Sequence, residues 1–392
     1  MEKSMPIQTL YRMMAIKHTI QGYTCTIFCR YNLWIIFLLS LFTIGNLSAQ
    51  QSAPLSQHDG PYILYTADQT KQIRVYEGQL EIQQNSTPTF EVISENGEHR
   101  FQVALHPIET PKATYSSNNE ILVLSDPHGD FDSFHAILKA HRVIGEQYQW
   151  TFDKKHLVVI GDIFDRGEDV LPLFWLLYKL EAEASAAGGA VHFLLGNHEE
   201  MILRGNLKYA KEKYKTLASQ LGKNYEDLWG ADSELGRWLI SRNTIEKIGD
   251  NLFVHAGLSA DLIGDVWSMD AINDSTRAYI HQKKEEREQS PAARFLFGSN
   301  GPLWYRGMVR TEEKYNPLSV ADLQHIMDQY RIKRIFLGHT IFPEVSSFYE
   351  GRVYGVNVSN KSNRDKGHSR GLLIKGNKRY RIYDDPKKKE RI

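Results

Sequence analysis

The chain has 392 residues, long enough for two or three domains, and its 42% hydrophobic, 24% charged and 11% aromatic residues exclude disorder, collagen or coiled coil as a global description. Lysine plus arginine equals aspartate plus glutamate at 47 each, so no strong overall field draws in nucleic acid or an anionic membrane, and a charged substrate must be held by a local site. The two cysteines, Cys25 and Cys29, exclude a disulfide scaffold and any cysteine-built metal centre across the main body, leaving His, Asp, Glu and Asn as metal donors.

The one long apolar run, LWIIFLLSLFTI at 33–44, follows Arg30 and precedes Ser48 and Ala49, small residues that suit a signal-peptidase cut. It is shorter than the roughly 20 residues a membrane-spanning helix needs. Residues 1–49 are therefore expected to be a cleaved secretory signal, with an uncleaved anchor or a buried core helix as alternatives, and with Met13 or Met14 as possible true starts. Loss of 1–49 leaves 43 basic against 46 acidic side chains and no thiol, as suits a protein exported to the bacterial periplasm or secreted, with no stable membrane anchor.

Residues 50–114 read as a small β-rich domain: YILYTA, QIRVYEG, TFEVIS and HRFQVAL alternate apolar and polar positions between Asn, Gly, Ser and Pro. No cluster of chemically capable residues is evident there, so packing or partner contact is its expected role. From 119 to 385 the pattern is that of a layered α/β domain, with strand-length apolar runs at 121–126, 156–162, 191–197, 251–257 and 335–340 and helices between them, such as 131–139 and 170–187. Residues 201–250 read as a mostly helical insertion resembling a lid. The run QKKEEREQ within 259–300 reads as a solvated helix face, and 386–392 as a frayed basic tail.

In open α/β sheets ligands bind at the carboxyl ends of strands. The five runs end in Asp126 and His128 (SDPHGD), Asp162 with Asp165 and Arg166 (GDIFDRG), Asn197 with His198 and Glu199 (GNHEE), His255 (VHAG) and His339 (GHT). Singly, each has an ordinary reading as a cap or a hydrogen-bonded loop residue. Five in order point to a site for two metal ions, because Asp, His and Asn suit manganese, iron or zinc, whereas calcium prefers an all-oxygen cage. Two such ions can share a carboxylate and a water and clamp a phosphoryl oxygen.

The series D-x-H-G, G-D-x-x-D-R-G, G-N-H-E, H-A-G and G-H-T resembles the calcineurin-like metallophosphoesterase superfamily, in particular its phosphoprotein phosphatase branch and the bacterial Shewanella-like phosphatases, over about 119–385. The resemblance implies a four-layer α/β/β/α sandwich. It implies that Asp126, His128 and Asp162 bind one metal, and that Asp162, Asn197, His255 and His339 bind the other. It further implies that His198 is the general acid oriented by Asp165, and that Arg166 and Asn197 contact the substrate phosphate. PLWYRG at 302–307 looks like the segment that supplies a second phosphate-binding arginine, Arg306; a surface arginine stacked on Trp304 is the alternative. The absence of a second histidine after Gly338-His339-Thr340 and the presence of Glu199 match the phosphoprotein phosphatase branch. Ser125 stands where most of that branch has glycine, a change expected not to touch a ligand.

The expected reaction is hydrolysis of a phosphate monoester by a hydroxide bridging two divalent or trivalent ions, without a phosphoenzyme. The expected substrate is a phosphoprotein, at serine, threonine or tyrosine. Small phosphoesters and dinucleoside polyphosphates are the enzymatic alternatives, an inactive phosphate-binding module is the non-enzymatic one, and no nucleic-acid partner is expected.

Overall fold

A computed structural model describes residues 54–392 apart from 68, 117–118 and 265–266. The expected signal segment and both cysteines lie outside the described residues. Among the described residues no helix is long and apolar enough to cross a membrane.

Among the described residues, seventeen strands run in chain order as β1 (His58–Tyr65), β2 (Thr70–Tyr76), β3 (Gln79–Gln84), β4 (Thr89–Ile93), β5 (Arg100–Ala104), β6 (Thr114–Tyr115), β7 (Ile121–Leu124), β8 (His156–Val159), β9 (Ala190–Phe193), β10 (Ile245–Ile248), β11 (Asn251–Val254), β12 (Arg334–Leu337), β13 (Ser346–Phe348), β14 (Val353–Gly355), β15 (Gly371–Lys375), β16 (Lys378–Ile382) and β17 (Lys389–Arg391). Two six-stranded sheets, β17-β16-β15-β7-β8-β9 and β13-β14-β12-β11-β10-β6, form the centre. Strands β7, β8 and β9 pair in parallel, as do β11, β12 and β14.

The continuous apolar runs follow from this stacking, because a strand buried on both faces needs apolar side chains at every position. Ile121, Val123, Val158 and Ile160 meet Phe253 and Phe336 in the core between the sheets. The alternate residues Leu122, Leu124, Leu157 and Val159 face one outer core, and Leu252, Val254, Ile335 and Leu337 face the other. Helices close the sandwich: α1 (Phe131–Ala140) and α2 (Val170–Ala186) cover the first sheet, and the layer over the second includes Leu323 and Ile326 of the helix Val320–Tyr330. This is the layered α/β/β/α arrangement expected from the sequence. Helix α1 starts at the N-cap Asp130, whose carboxylate accepts from Ser133 N, and buries Phe131, Phe134, Ile137 and Leu138 at helical spacing. Helix α2 is apolar almost all round because its other side is covered as well. There Trp175 Nε1 donates to Pro61 O (2.8 Å) and its ring meets Phe90 edge-on at 4.8 Å.

The covering comes from the N-terminal strands, which form the antiparallel sheet β1-β2-β3 and the hairpin β4-β5. Tyr62, Ile63, Ile73, Val75, Phe90, Val92, Phe101 and Val103 belong to the same core as α1 and α2.

Four details differ from the sequence reading. Strand β3 was not foreseen, because five of its six residues are exposed and its apolar face is only Leu80 and the exposed Ile82. Strand β10 lies in the stretch read as helical; its Glu246 is buried and bonds His192 Nδ1 (2.6 Å), so the apolar alternation is broken by a buried acid. The basic end does not fray throughout, since Lys389–Arg391 pair with β16. The charged run is not wholly solvated either: Arg287 is buried, bonded to Glu200 and set over Phe297 at 3.8 Å.

Candidate functional site

The carboxyl ends of β7, β8, β9, β11 and β12 lead into the five polar motifs, and the sheet pairing brings them to one edge. Of the ten residues singled out there, Asp126 (φ 50°), His128 (44°), Asp162 (58°), Asp165 (72°), Arg166 (66°) and His339 (56°) adopt left-handed backbone conformations. Each costs on the order of 1–3 kcal/mol and persists only where the surroundings over-determine it. Close backbone approach is part of that enforcement. A Cβ on Gly338 would collide with Ser125 Oγ and the Asp126 carboxylate, and one on Gly196 would collide with Asp162 Oδ1.

Glu199 supplies another part. Fully buried, its carboxylate accepts from the backbone N–H groups of Asp162 (2.8 Å), Ile163 (2.8 Å), Phe164 (3.2 Å) and Gly196 (2.7 Å). It therefore locks the turn carrying Asp162 to the start of helix α3 (Asn197–Leu203). Sequence reasoning had Glu199 only as a family marker.

At the centre stands Asp162. Its Oδ1 accepts from His198 N (2.9 Å), and its Oδ2 lies 3.3 Å from His255 Nε2, 3.8 Å from His128 Nε2 and 4.0 Å from His198 Nε2. His255 Nδ1 bonds Ile160 O (2.8 Å) and His128 Nδ1 bonds Phe164 O (2.8 Å). A carbonyl only accepts, so each Nδ1 is the donor and each neutral ring turns a lone pair at Nε2 towards Asp162. His255 Nε2 also faces Asn197 Oδ1 at 3.0 Å. With the rings neutral, acceptors converge on acceptors, an arrangement that calls for positive charge between them, either a proton on His255 or a metal ion. His339 Nε2 is buried with no hydrogen-bond partner. The donor atoms of Asp162, His255 and His339 lie within 4.8 Å of one another, and so do those of His128, Asp162 and His198. This donor set fits metal ions: imidazoles fixed by carbonyls behind them, a shared carboxylate and an orphaned nitrogen.

The electrostatics favour positive charge beside Asp162. Burial would raise Asp162, but His255, His198 and His128 outweigh it and hold its carboxyl well below the usual range. Burial opposes charge on His255, yet Asp162 and then Asp126 bring it up to about 9. Burial pushes His128 down to about 4, and burial with the neighbouring Asp162 charge pushes Asp126 up to about 7.

Asp126 belongs to neither donor triad. Its carboxylate is held by three donors: Ser125 Oγ and His339 N (3.2 Å) on Oδ1, and Asn357 Nδ2 (2.7 Å) on Oδ2. The expectation that Ser125 would not touch a ligand candidate is therefore corrected, because its hydroxyl bonds directly to Asp126. Asn357 was missed. It follows β14, and the run VYGVN ends in a polar residue just as the other five do, a signal that the same rule could have used.

His198 stands at the second position of α3 with Nδ1 2.5 Å from Asp165 Oδ2. Burial disfavours its charged form, but Asp162 and Asp165 more than compensate and raise it. Arg166 is exposed over the ring of Tyr209 at 5.7 Å. Arg306 is half-buried and donates to Thr340 Oγ1 (3.0 Å); it faces the site, and no stack on Trp304 forms. All ten residues except the buried Asp165, Glu199 and His255 line, with Arg306, one cavity of about 660 Å³ whose wall also includes Lys208, Tyr209, Arg310, Asn357 and Lys361.

A layered α/β/β/α sandwich with paired imidazole–carboxylate clusters at its strand ends defines a metal-dependent phosphatase. Residues 120–343 match the calcineurin-like phosphoesterase family, and the chain belongs to that family. It is 30% identical over 245 residues to Shewanella-like protein phosphatase 1 of Plasmodium berghei, covering 62% of this chain and 67% of that relative. It is 29% identical over 280 residues to Shewanella-like protein phosphatase 2 of Arabidopsis thaliana, covering 58% and 70%. The crystal structure of a cold-active protein-tyrosine phosphatase from a psychrophilic Shewanella species superposes with a TM-score of 0.77 at 31% identity, covering 86% of this chain and 99% of that one.

Proposed function

We propose that the protein hydrolyses phosphate monoesters on serine, threonine or tyrosine side chains of proteins by means of a binuclear metal centre. The observation that carries this reading is Asp162 Oδ2, a single oxygen facing Nε2 of both His128 and His255. On this reading Asp126, His128 and Asp162 hold one ion, and Asp162, Asn197, His255 and His339 hold the other; manganese, iron or zinc suits that mixed set. Bound there, the ions supply an acidified water and neutralise phosphoryl charge.

The chain's own residues do the rest. Arg166 and Arg306, which both line the cavity, bind the non-transferring phosphate oxygens, with the Asn197 amide as a further donor. His198 protonates the leaving oxygen from Nε2, while Asp165 fixes the ring through Nδ1 and sustains its charged form. The further cations Lys208, Arg310 and Lys361 around the cavity suit an anionic group presented on a larger molecule. The relatives named as protein phosphatases support a phosphoprotein over a small phosphoester. The apolar run at 33–44 and the small residues after it support action outside the cytoplasm.

The test is hydrolysis of phosphopeptide, p-nitrophenyl phosphate, bis-(p-nitrophenyl) phosphate and diadenosine tetraphosphate by one preparation. Monoester turnover well above diester and dinucleotide turnover is expected; preference for diadenosine tetraphosphate would replace this reading by its rival.

A further inference from the structure

We infer that Lys213, together with Glu95, is a positioning residue for the phosphate-binding arm, and that through them the N-terminal β region fixes the loop carrying Asp165 and Arg166. The inference rests on the phosphate role of Arg166 proposed above.

Asp165 and Arg166 are consecutive non-glycine residues with φ of 72° and 66°, so the loop does not hold this shape by itself. Glu199 grips it before these residues, at Ile163 and Phe164. After them, the grip comes from elsewhere in the chain. Lys213, in the helix Glu212–Gln220 of the insertion, donates from Nζ to Glu168 O (2.6 Å) and to Glu95 Oε2 (2.8 Å). Its ammonium also reaches His58 O at 3.4 Å and lies 3.9 Å from Asp59 Oδ1 in β1, and its side chain is only 9% exposed. Glu95, in the β4-β5 turn, donates its backbone N–H to Asp169 Oδ1 (2.6 Å). Asp169 is the N-cap of α2, and its side chain makes no cap bond to that helix because Glu95 takes it instead. Glu95 in turn accepts from the backbone N–H groups of Gln57 (2.9 Å) and His58 (3.4 Å). The same hairpin grips the helix after the first motif, where His99 Nε2 meets Asp132 Oδ1 at 2.8 Å.

One buried ammonium therefore ties β1, the β4-β5 turn and the insertion to the carbonyl two residues beyond Arg166. Displacing a binding group by about 1 Å can cost as much as 10²-fold, so a loosened arm reads out in phosphate affinity before it reads out in metal content.

The experiment compares Lys213→Met, Lys213→Arg, Glu95→Gln and Arg166→Ala in the full chain, with Leu323→Ala in the opposite helix layer as a destabilised control. Inhibition by inorganic phosphate, KM for p-nitrophenyl phosphate, Mn²⁺ content and thermal midpoint are measured together. Lys213→Met is expected to weaken phosphate inhibition about tenfold and raise KM at unchanged Mn²⁺ content. Lys213→Arg is expected to restore most of it, and Leu323→Ala to lower the midpoint without moving phosphate affinity. Glu95→Gln is expected to shift phosphate inhibition in the same direction by less, and it decides the matter if Lys213→Met does not fold. Wild-type phosphate inhibition in Lys213→Met or Glu95→Gln while Arg166→Ala loses it overturns the brace alone, as does an equal loss in Leu323→Ala. Unchanged inhibition in Arg166→Ala removes the phosphate role of Arg166 and the brace with it.

Discussion

Asp162 and His255 meet at 3.3 Å, and because Nδ1 is committed to the carbonyl of Ile160, a neutral His255 would set a lone pair against the carboxylate. A proton on Nε2 or a metal ion relieves that contact, and the same oxygen of Asp162 also faces Nε2 of His128. Removing the shared carboxylate therefore acts on both positions. Asp162→Asn is expected to lose both ions and activity together, whereas His339→Asn, which touches only one donor triad, is expected to retain at least one ion. Metal analysis of the two purified variants separates these outcomes; two ions retained by Asp162→Asn contradict a shared ligand.

His198 is held by Asp165 and raised by its acidic neighbours. Positioned general acids contribute about 10²–10⁴-fold. His198→Asn is expected to lose on that order of turnover on phosphoserine peptides and much less on p-nitrophenyl phosphate, whose leaving group needs little protonation. Equal losses on both substrates would sink the acid role.

Ser125 and Asn357 hold the two oxygens of Asp126. Partners behind a metal ligand are commonly worth 10–100-fold in metal affinity or activity. Ser125→Ala and Asn357→Ala are each expected to weaken Mn²⁺ binding about tenfold in a competition titration against a chelating dye, while the circular dichroism spectrum stays the same. Unaltered Mn²⁺ affinity in both shows that Asp126 needs no support.

Much of this arrangement is legible in the sequence. Strands buried on both faces give unbroken runs such as ILVL and HLVV, and the sheet then carries the residue after each run to a common edge. Glu199 and Asn357 are harder to read because each acts across the fold, Glu199 on the backbone of 162–164 and Asn357 on a carboxylate 231 positions away, whereas Ser125 bonds its own neighbour Asp126, a contact that residue type and spacing alone do not report. Arg287 reads as solvated for the same reason, since its partner Glu200 is 87 positions distant. Lys213 is one lysine in a polar helix until β1 and Glu95 are folded against it.

The buried carboxylate of Glu199 carries four backbone donors, so its loss strands several buried N–H groups at once. Glu199→Ala is expected to cost about 3–5 kcal/mol of stability, measured by urea unfolding of the metal-free protein. A change under about 1 kcal/mol shows that those donors find other partners.

Burial raises Asp59 from 3.8 to about 6 against the opposing pull of Lys213. The folded protein then binds the Asp59 proton more tightly than the unfolded chain does. This contribution is full below pH 3.8 and is lost as pH rises to about 6. Asp59→Asn keeps a neutral side chain, so its stability relative to wild type is expected to rise across that window by at most about 3 kcal/mol. Parallel pH profiles of unfolding free energy for the two proteins contradict the shift.

The most direct test is metal content read against monoesterase activity in one sample. Two ions per chain are expected, with activity abolished by EDTA and restored by Mn²⁺, iron or zinc. A chain that hydrolyses phosphate monoesters with no bound metal, or at a rate EDTA leaves untouched, contradicts the metal centre at Asp162.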